Sequence, residues 1–176
     1  MRIIAGELGG RIFDSPETGN THPMGEKPRG AIFNALGDIQ GLSVLDAYAG
    51  SGALGFEAAS RGAKSVVAVE LDKQAYKTIV NNIYKLGIED KVHVVISTMR
   101  AWSNKYQNLK LDIAICDPPY DAVLALEIER ISKHIKQNGL LVLSWPSKLE
   151  APIMPGCEII SEKEYAGARI VFYRKS

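Results

Sequence analysis

From residue 43 onward, apolar positions fall in short unbroken runs separated by stretches of helical spacing. The runs are "SVLDAY" (43–48), "SVVAVEL" (65–71), "KVHVVI" (91–96), "LDIAICD" (111–117) and "GLLVLSW" (139–145). Each has strand length and is rich in Val, Ile and Leu. Between them, residues 73–86 place Ala75, Tyr76, Ile79, Val80 and Ile83 on one helical face, with Gly87 as a cap. Residues 50–61 and 124–135 also read as helices. Strands that are apolar on both faces and alternate with helices predict an α/β fold with a mostly parallel, doubly wound sheet. The tail breaks the alternation. "CEIISEKEY" and "ARIVFYRK" are two strands with no helix between them, which predicts an antiparallel edge. Before residue 43, "RIIAGELGGRIFD" (2–14) predicts two short strands around its glycines, and residues 27–36 a helix stopped by Gly37. One domain results, with an N-terminal extension over 1–40 and a core over 41–176.

Composition changes this picture little. The chain has 176 residues, 46% hydrophobic and 23% charged, enough for one sizeable core. Its formal net charge of +1 does not indicate a globally basic nucleic-acid binder. The charge is uneven, since residues 61–110 carry nine Lys or Arg against four Asp or Glu. No apolar run approaches the ~20 residues of a membrane span. The opening "MRIIAGELGGRIF" is broken by glycines too early for a signal peptide. Cys116 and Cys157 are the only cysteines and form no CxxC pair, so a reducing cytoplasm is expected. His22, His93 and His134 are scattered, and no metal-ligand spacing is present.

The chemistry concentrates in two places. "VLDAYAGSGALG" (44–55) follows a strand, opens a helix and holds a G-x-G-x-x-G at Gly50, Gly52 and Gly55. With Glu70 twenty residues beyond Gly50, that is the dinucleotide fingerprint of a Rossmann-like fold. Asp46 alters the reading. A pyrophosphate brought to this turn would be repelled by a carboxylate, whereas the ammonium and sulfonium of S-adenosylmethionine would be attracted. Glu70 can accept hydrogen bonds from ribose hydroxyls under either cofactor.

The second place is "DPPY", Asp117 to Tyr120, where the fourth strand ends. In open α/β sheets, ligands bind beyond the carboxyl ends of the strands, so Asp117 is expected to share a crevice with Asp46. An exocyclic amine on a nucleobase is planar and a poor nucleophile. It needs acceptors that grip its N–H bonds and aim its lone pair. Asp117 offers a carboxylate oxygen, Pro118 a carbonyl held by the rigid Pro118–Pro119 pair, and Tyr120 a face for a flipped base. Cys116, inside an apolar strand with no basic partner nearby, reads as a buried hydrophobe and not as a nucleophile.

The pairing of "LDAYAGSGALGFEAASRGA" (45–63) with "DPPY" resembles the RsmD-type methyltransferases, as do "RIIAGELGGRIF" (2–13), "RGAIFNAL" (29–36) and "YAGARIVFYRK" (165–175). The resemblance covers nearly the whole chain. It implies a class I methyltransferase that moves a methyl group from S-adenosyl-L-methionine to the exocyclic N2 of a guanine in 16S rRNA of the small ribosomal subunit. A cytoplasmic monomer without metal is expected. The cofactor residues are then Asp46, Ala49, Gly50, Ser51 and Gly52 in the glycine loop, Glu70 and Leu71 after the second strand, and Thr98 and Met99 after the third. Asp117, Pro118, Pro119 and Tyr120 hold the base. Arg2, Arg11, Lys27 and Arg29 are expected to meet RNA phosphates. Two segments depart from the family. "HPMGEK" (22–27) stands where it has "RPTTDR", and "STMRAW" (97–102) lacks its Asp or Asn. Alternatives are an adenine-N6 methyltransferase of DNA or RNA, which shares "DPPY", a catalytically silent RNA-binding module, and a dehydrogenase, which Asp46 disfavours.

Overall fold

The computed structural model describes residues 1–17, 24–119, 125–165 and 167–176. In chain order the elements are α1 (Glu26–Leu36), β1 (Ser43–Ala47), α2 (Ala53–Ser60), β2 (Ser65–Glu70), α3 (Lys73–Leu86) and β3 (Val92–Ile96). Then come α4 (Met99–Lys105), β4 (Leu111–Cys116), α5 (Ala125–Ser132), β5 (Ile135–Pro146), β6 (Cys157–Tyr165) and β7 (Ala168–Lys175). The strands form one sheet in the order β3-β2-β1-β4-β5-β7-β6. β1 to β5 pair in parallel, and β7 runs antiparallel to both β5 and β6. The doubly wound sheet with its antiparallel edge is therefore the predicted one. The chain winds outward from β1 in one direction and from β4 in the other, which places the switch point between them.

Local chemistry explains most boundaries. The Asp72 carboxylate accepts the backbone N–H groups of Gln74 and Ala75 and so starts α3, and Gly87 ends it in the left-handed region at φ 69°. The helix expected from residue 50 begins only at Ala53, because Gly50 (φ 55°) and Gly52 (φ 78°) are left-handed and turn the chain first. α4 is an addition to the predicted elements. Thr98 caps it, accepting from the Ala101 N–H, and its Trp102 is buried. β5 starts earlier than expected. Leu111 pairs with Ile135, but Ile113 pairs with Leu140, and Asn138 is left-handed (φ 61°) within that register shift.

One face of the sheet is covered by α1, α2, α3 and the N-terminal arm, in a cluster that includes Ile3, Phe13, Phe33, Phe56, Ile79 and Ile115. The other is covered by α4 and α5, with Trp102, Ile128, Ile131 and Trp145. The arm does not form the two strands expected of it. It makes a single antiparallel bridge, Arg2 to Ile12, with backbone bonds between Met1 and Phe13 and between Ile3 and Arg11, and it also bonds to the helices beneath. Ile4 and Ala5 donate to the Glu57 carboxylate at 2.8 and 3.1 Å, and Asp14 and Asn82 exchange bonds of 2.9 Å. Among the described residues, no helix is long and apolar enough to cross a membrane.

Candidate active site

Three acids meet at the carboxyl edge of the sheet. Asp46 lies in β1, Glu70 is the last residue of β2, and Asp117 directly follows β4. β1 pairs with both β2 and β4, so the acids bracket the switch point.

Asp46 is fully buried. Its Oδ2 accepts the Gly55 backbone N–H at 2.8 Å, which satisfies an orphan donor in the first turn of α2. This contact explains the third glycine, since a Cβ at residue 55 would lie 3.0 Å from Asp46 Oδ2 and 3.3 Å from Val66 Cγ1. Oδ1 has no hydrogen-bond partner among the described residues. Burial pushes the carboxyl well above the ordinary carboxylate range, the Gly55 bond opposes that, and the fields of Asp117 and Glu70 add to it. A lone carboxylate oxygen in this setting is suited to a cation.

Glu70 is engaged by backbone at both oxygens. Oε2 accepts the Gly50 N–H at 2.6 Å and Oε1 the Asp72 N–H at 2.7 Å. The acid therefore fixes the glycine loop against the end of β2, a role its position in the sequence did not reveal, and it keeps lone pairs for hydroxyl donors. Ala49 donates to the Val69 carbonyl, and Gly52 donates to Ala49. Ser51 and Gly52 are buried, Gly50 is half-buried, and a Cβ at Gly52 would strike the Phe56 ring at 2.8 Å. Leu71 is 64% exposed beyond β2. Thr98 is exposed, with its hydroxyl oxygen committed to the cap of α4. Met99 opens α4 with its side chain buried in the core cluster that holds Trp102.

Asp117 is half-buried, and Pro118 is buried beside it while Pro119 is exposed. Burial raises the Asp117 carboxyl above its ordinary range, and a hydrogen bond from the Ser144 side chain on β5 counteracts this. Tyr120 lies outside the described residues. Cys116 is buried, and burial, followed by the fields of Asp46 and Asp117, pushes its thiol well up. It is inert core, as the sequence suggested. Tyr48, between Asp46 and Gly50, was not singled out from sequence. It is half-buried and left-handed (φ 64°), and its hydroxyl donates to Glu127 Oε2 on α5 at 3.3 Å. Its placement between a strand-end acid and the glycine loop was the available signal.

The four expected phosphate contacts do not behave alike. Arg29 is a correction. It is fully buried, donates to the Met24 and Arg2 carbonyls at 3.3 and 2.6 Å, and lies 3.8 Å from the Glu57 carboxylate. It ties α1 and the arm to α2 and presents nothing to a ligand. Arg2 is exposed but pairs with Glu26 at 2.7 Å. Arg11 and Lys27 are exposed, and Arg11 reaches the Leu86 carbonyl at 3.4 Å.

Comparison with known proteins places this geometry. The model of the family described as "Conserved hypothetical protein 95" matches residues 1–174. "Ribosomal RNA small subunit methyltransferase D" of Buchnera aphidicola is 32% identical over 83% of this chain and 78% of its own. The Haemophilus influenzae protein of the same name is 34% identical over 80% of this chain and 76% of its own. The solved structure of yhhF from Escherichia coli superposes with a TM-score of 0.89 at 25% identity, covering 100% of this chain and 98% of that one. The strand order, the glycine loop between Asp46 and Glu70 and the match over nearly all residues agree: the chain belongs to the Conserved hypothetical protein 95 family, that of the RsmD-type methyltransferases.

Proposed function

We propose that this chain is an S-adenosylmethionine-dependent methyltransferase of small-subunit ribosomal RNA, with the exocyclic N2 of a guanine as acceptor. The observation that carries the reading is the unpartnered, buried Oδ1 of Asp46, set among two further acids at the switch point. An anionic pyrophosphate is disfavoured there and a cationic amino-acid moiety is favoured. The names of the Buchnera and Haemophilus relatives support an rRNA substrate and, with it, a cytoplasmic setting.

Asp46 and the backbone of Ala49, Gly50, Ser51 and Gly52 would hold the cofactor's amino-acid end, Glu70 its ribose, and Leu71 and the backbone at Thr98 its adenine. When bound, S-adenosylmethionine supplies a methyl group made electrophilic by the adjoining sulfonium. Asp117 would accept one N–H of the guanine amine and the Pro118 carbonyl the other, which aims the nitrogen lone pair. Burial raises the proton affinity of Asp117, so its carboxylate is suited to take the proton that the nitrogen sheds. Tyr120 is proposed to stack on the base, with Pro119 shaping the turn between them. Arg11 and Lys27 would contact phosphates.

The test is tritium transfer from labelled cofactor into small-subunit ribosomal RNA, followed by nucleoside identification. N2-methylguanine is expected, and Asp117→Ala should lose turnover with cofactor affinity retained. Label in N6-methyladenine would overturn the guanine assignment, and label in 5-methylcytosine would reject the mechanism.

A further inference from the structure

We infer that Tyr48 and Glu127 form a positioning contact that sets the base-holding half of the crevice against the cofactor-holding half. The inference rests on the functional reading above, in which the glycine loop holds the cofactor and the segment from Asp117 holds the base.

Tyr48 has a φ of 64°. A bulky aromatic in that region carries backbone strain that glycine would avoid. The strain places the side chain where two elements can be joined. The ring packs against the core cluster of α4 and α5, and the hydroxyl donates to Glu127 Oε2 at 3.3 Å. Glu127 stands in the first turn of α5, where its carboxylate also suits the positive end of the helix. α5 is the element that follows Asp117, Pro118 and Pro119 along the chain. Ala47, which precedes Tyr48, pairs with Cys116, so Tyr48 leaves the sheet beside the end of β4. One side chain therefore extends from the cofactor loop, past the strand that delivers Asp117, to the helix beyond it.

Ring packing explains an aromatic residue at 48 but not a hydroxyl. A half-buried hydroxyl without its acceptor costs stability. Burial also holds the proton on the phenol, so the group remains a donor. The separation is long for an O–H···O bond, and bonds at active sites often tighten once the complex forms.

Three single variants and one double variant test this. Tyr48→Phe keeps the ring, Glu127→Ala removes the acceptor, and Glu127→Gln keeps a neutral one. We expect kcat on small-subunit particles to fall about five-fold in Tyr48→Phe and in Glu127→Ala, the loss expected of one hydrogen bond. The double variant Tyr48→Phe/Glu127→Ala should be no slower than either single one, because the two side chains act as a unit. Glu127→Gln should retain most of the rate. S-adenosylhomocysteine affinity, by calorimetry, should stay within about two-fold of the parent. Hydrogen exchange gives a readout independent of turnover. In the parent, S-adenosylhomocysteine should slow exchange across residues 126–132, and in Tyr48→Phe that protection should disappear while binding persists. Additive rate losses, or protection equal in parent and variant, would overturn the positioning contact and leave the functional reading intact. A parent that binds no S-adenosylhomocysteine would overturn that reading, and this inference with it.

Discussion

A carboxyl group with no exposed surface and two acids close by is costly to ionise, and Asp46 is such a group. Its folded pKa is raised above that of the unfolded chain, so folding takes up a proton at this site. The resulting stability is whole below the ordinary carboxylate range and is lost as pH rises through the raised value. Asp46→Asn carries no such loss. Its amide carbonyl can still accept the Gly55 N–H, and its amide nitrogen lies in the field of Asp117 and Glu70. We expect this variant to melt above the parent near neutral pH, by about 2–4 °C per ~1 kcal/mol relieved, while losing affinity for S-adenosylmethionine. Calorimetry from about pH 4 to about pH 8 checks it. The gap should widen with pH, and a gap that does not change would show that ionisation at residue 46 is not its source. A site residue that weakens the fold is a familiar exchange of stability for function. The sequence disclosed this acid, because a polar residue near the end of an apolar strand stands out. It did not disclose Tyr48, whose meaning lies in a left-handed backbone and a partner far along the chain.

At the scale of elements, the strands and α3 were legible because run length and helical period are local properties, and caps such as Asp72 and Gly87 mark where they stop. α4 was not. Seven residues give too little periodicity to register, and its cap, Thr98, resembled a ligand contact. The arm was misread for a related reason. Its glycines and short apolar runs suggest strands, but its ends pair through only one bridge, and its remaining partners are side chains on α2 and α3, which no local pattern names. Glu57 is the centre of that attachment. It is fully buried and accepts from Ile4 and Ala5, from Arg61 Nε at 2.8 Å, and faces Arg29 at 3.8 Å. Removing it leaves a buried guanidinium uncompensated and strands two backbone donors. Glu57→Ala should therefore cost about 3–5 kcal/mol, read as a lower denaturation midpoint in urea at unchanged m-value. Glu57→Gln should cost less, since its carbonyl still accepts. Equal losses in the two variants would mean that the charge facing Arg29 accounts for the whole effect and that the accepted backbone bonds contribute nothing.

For the whole molecule, what matters is where charge is left unpaired. Around the N-terminal arm four cations are committed, whereas Arg11 and Lys27 have no carboxylate partner among the described residues. Arg2 pairs with Glu26, Lys85 with Asp14 and Lys91 with Glu7, while Arg29 is buried against Glu57. A different set is exposed at the carboxyl edge of the sheet. Lys73 opens α3 immediately beyond β2, and Arg100 stands in α4 immediately beyond β3. Among the described residues neither forms an ion pair with a carboxylate. Ligands of a doubly wound sheet bind at this edge, so cations there meet a polyanion without first giving up an internal partner. Arg2, by contrast, must exchange Glu26 for a phosphate, and the exchange yields little net energy. We therefore expect Lys73→Ala/Arg100→Ala to weaken ribosomal RNA binding and to reduce the slope of log affinity against log salt by about two, one unit for each lost phosphate contact. Arg2→Ala should change that slope much less. Filter binding over a salt series measures both. A larger change in slope for Arg2→Ala would return the phosphate-binding surface to the arm, where the residue types alone had suggested it.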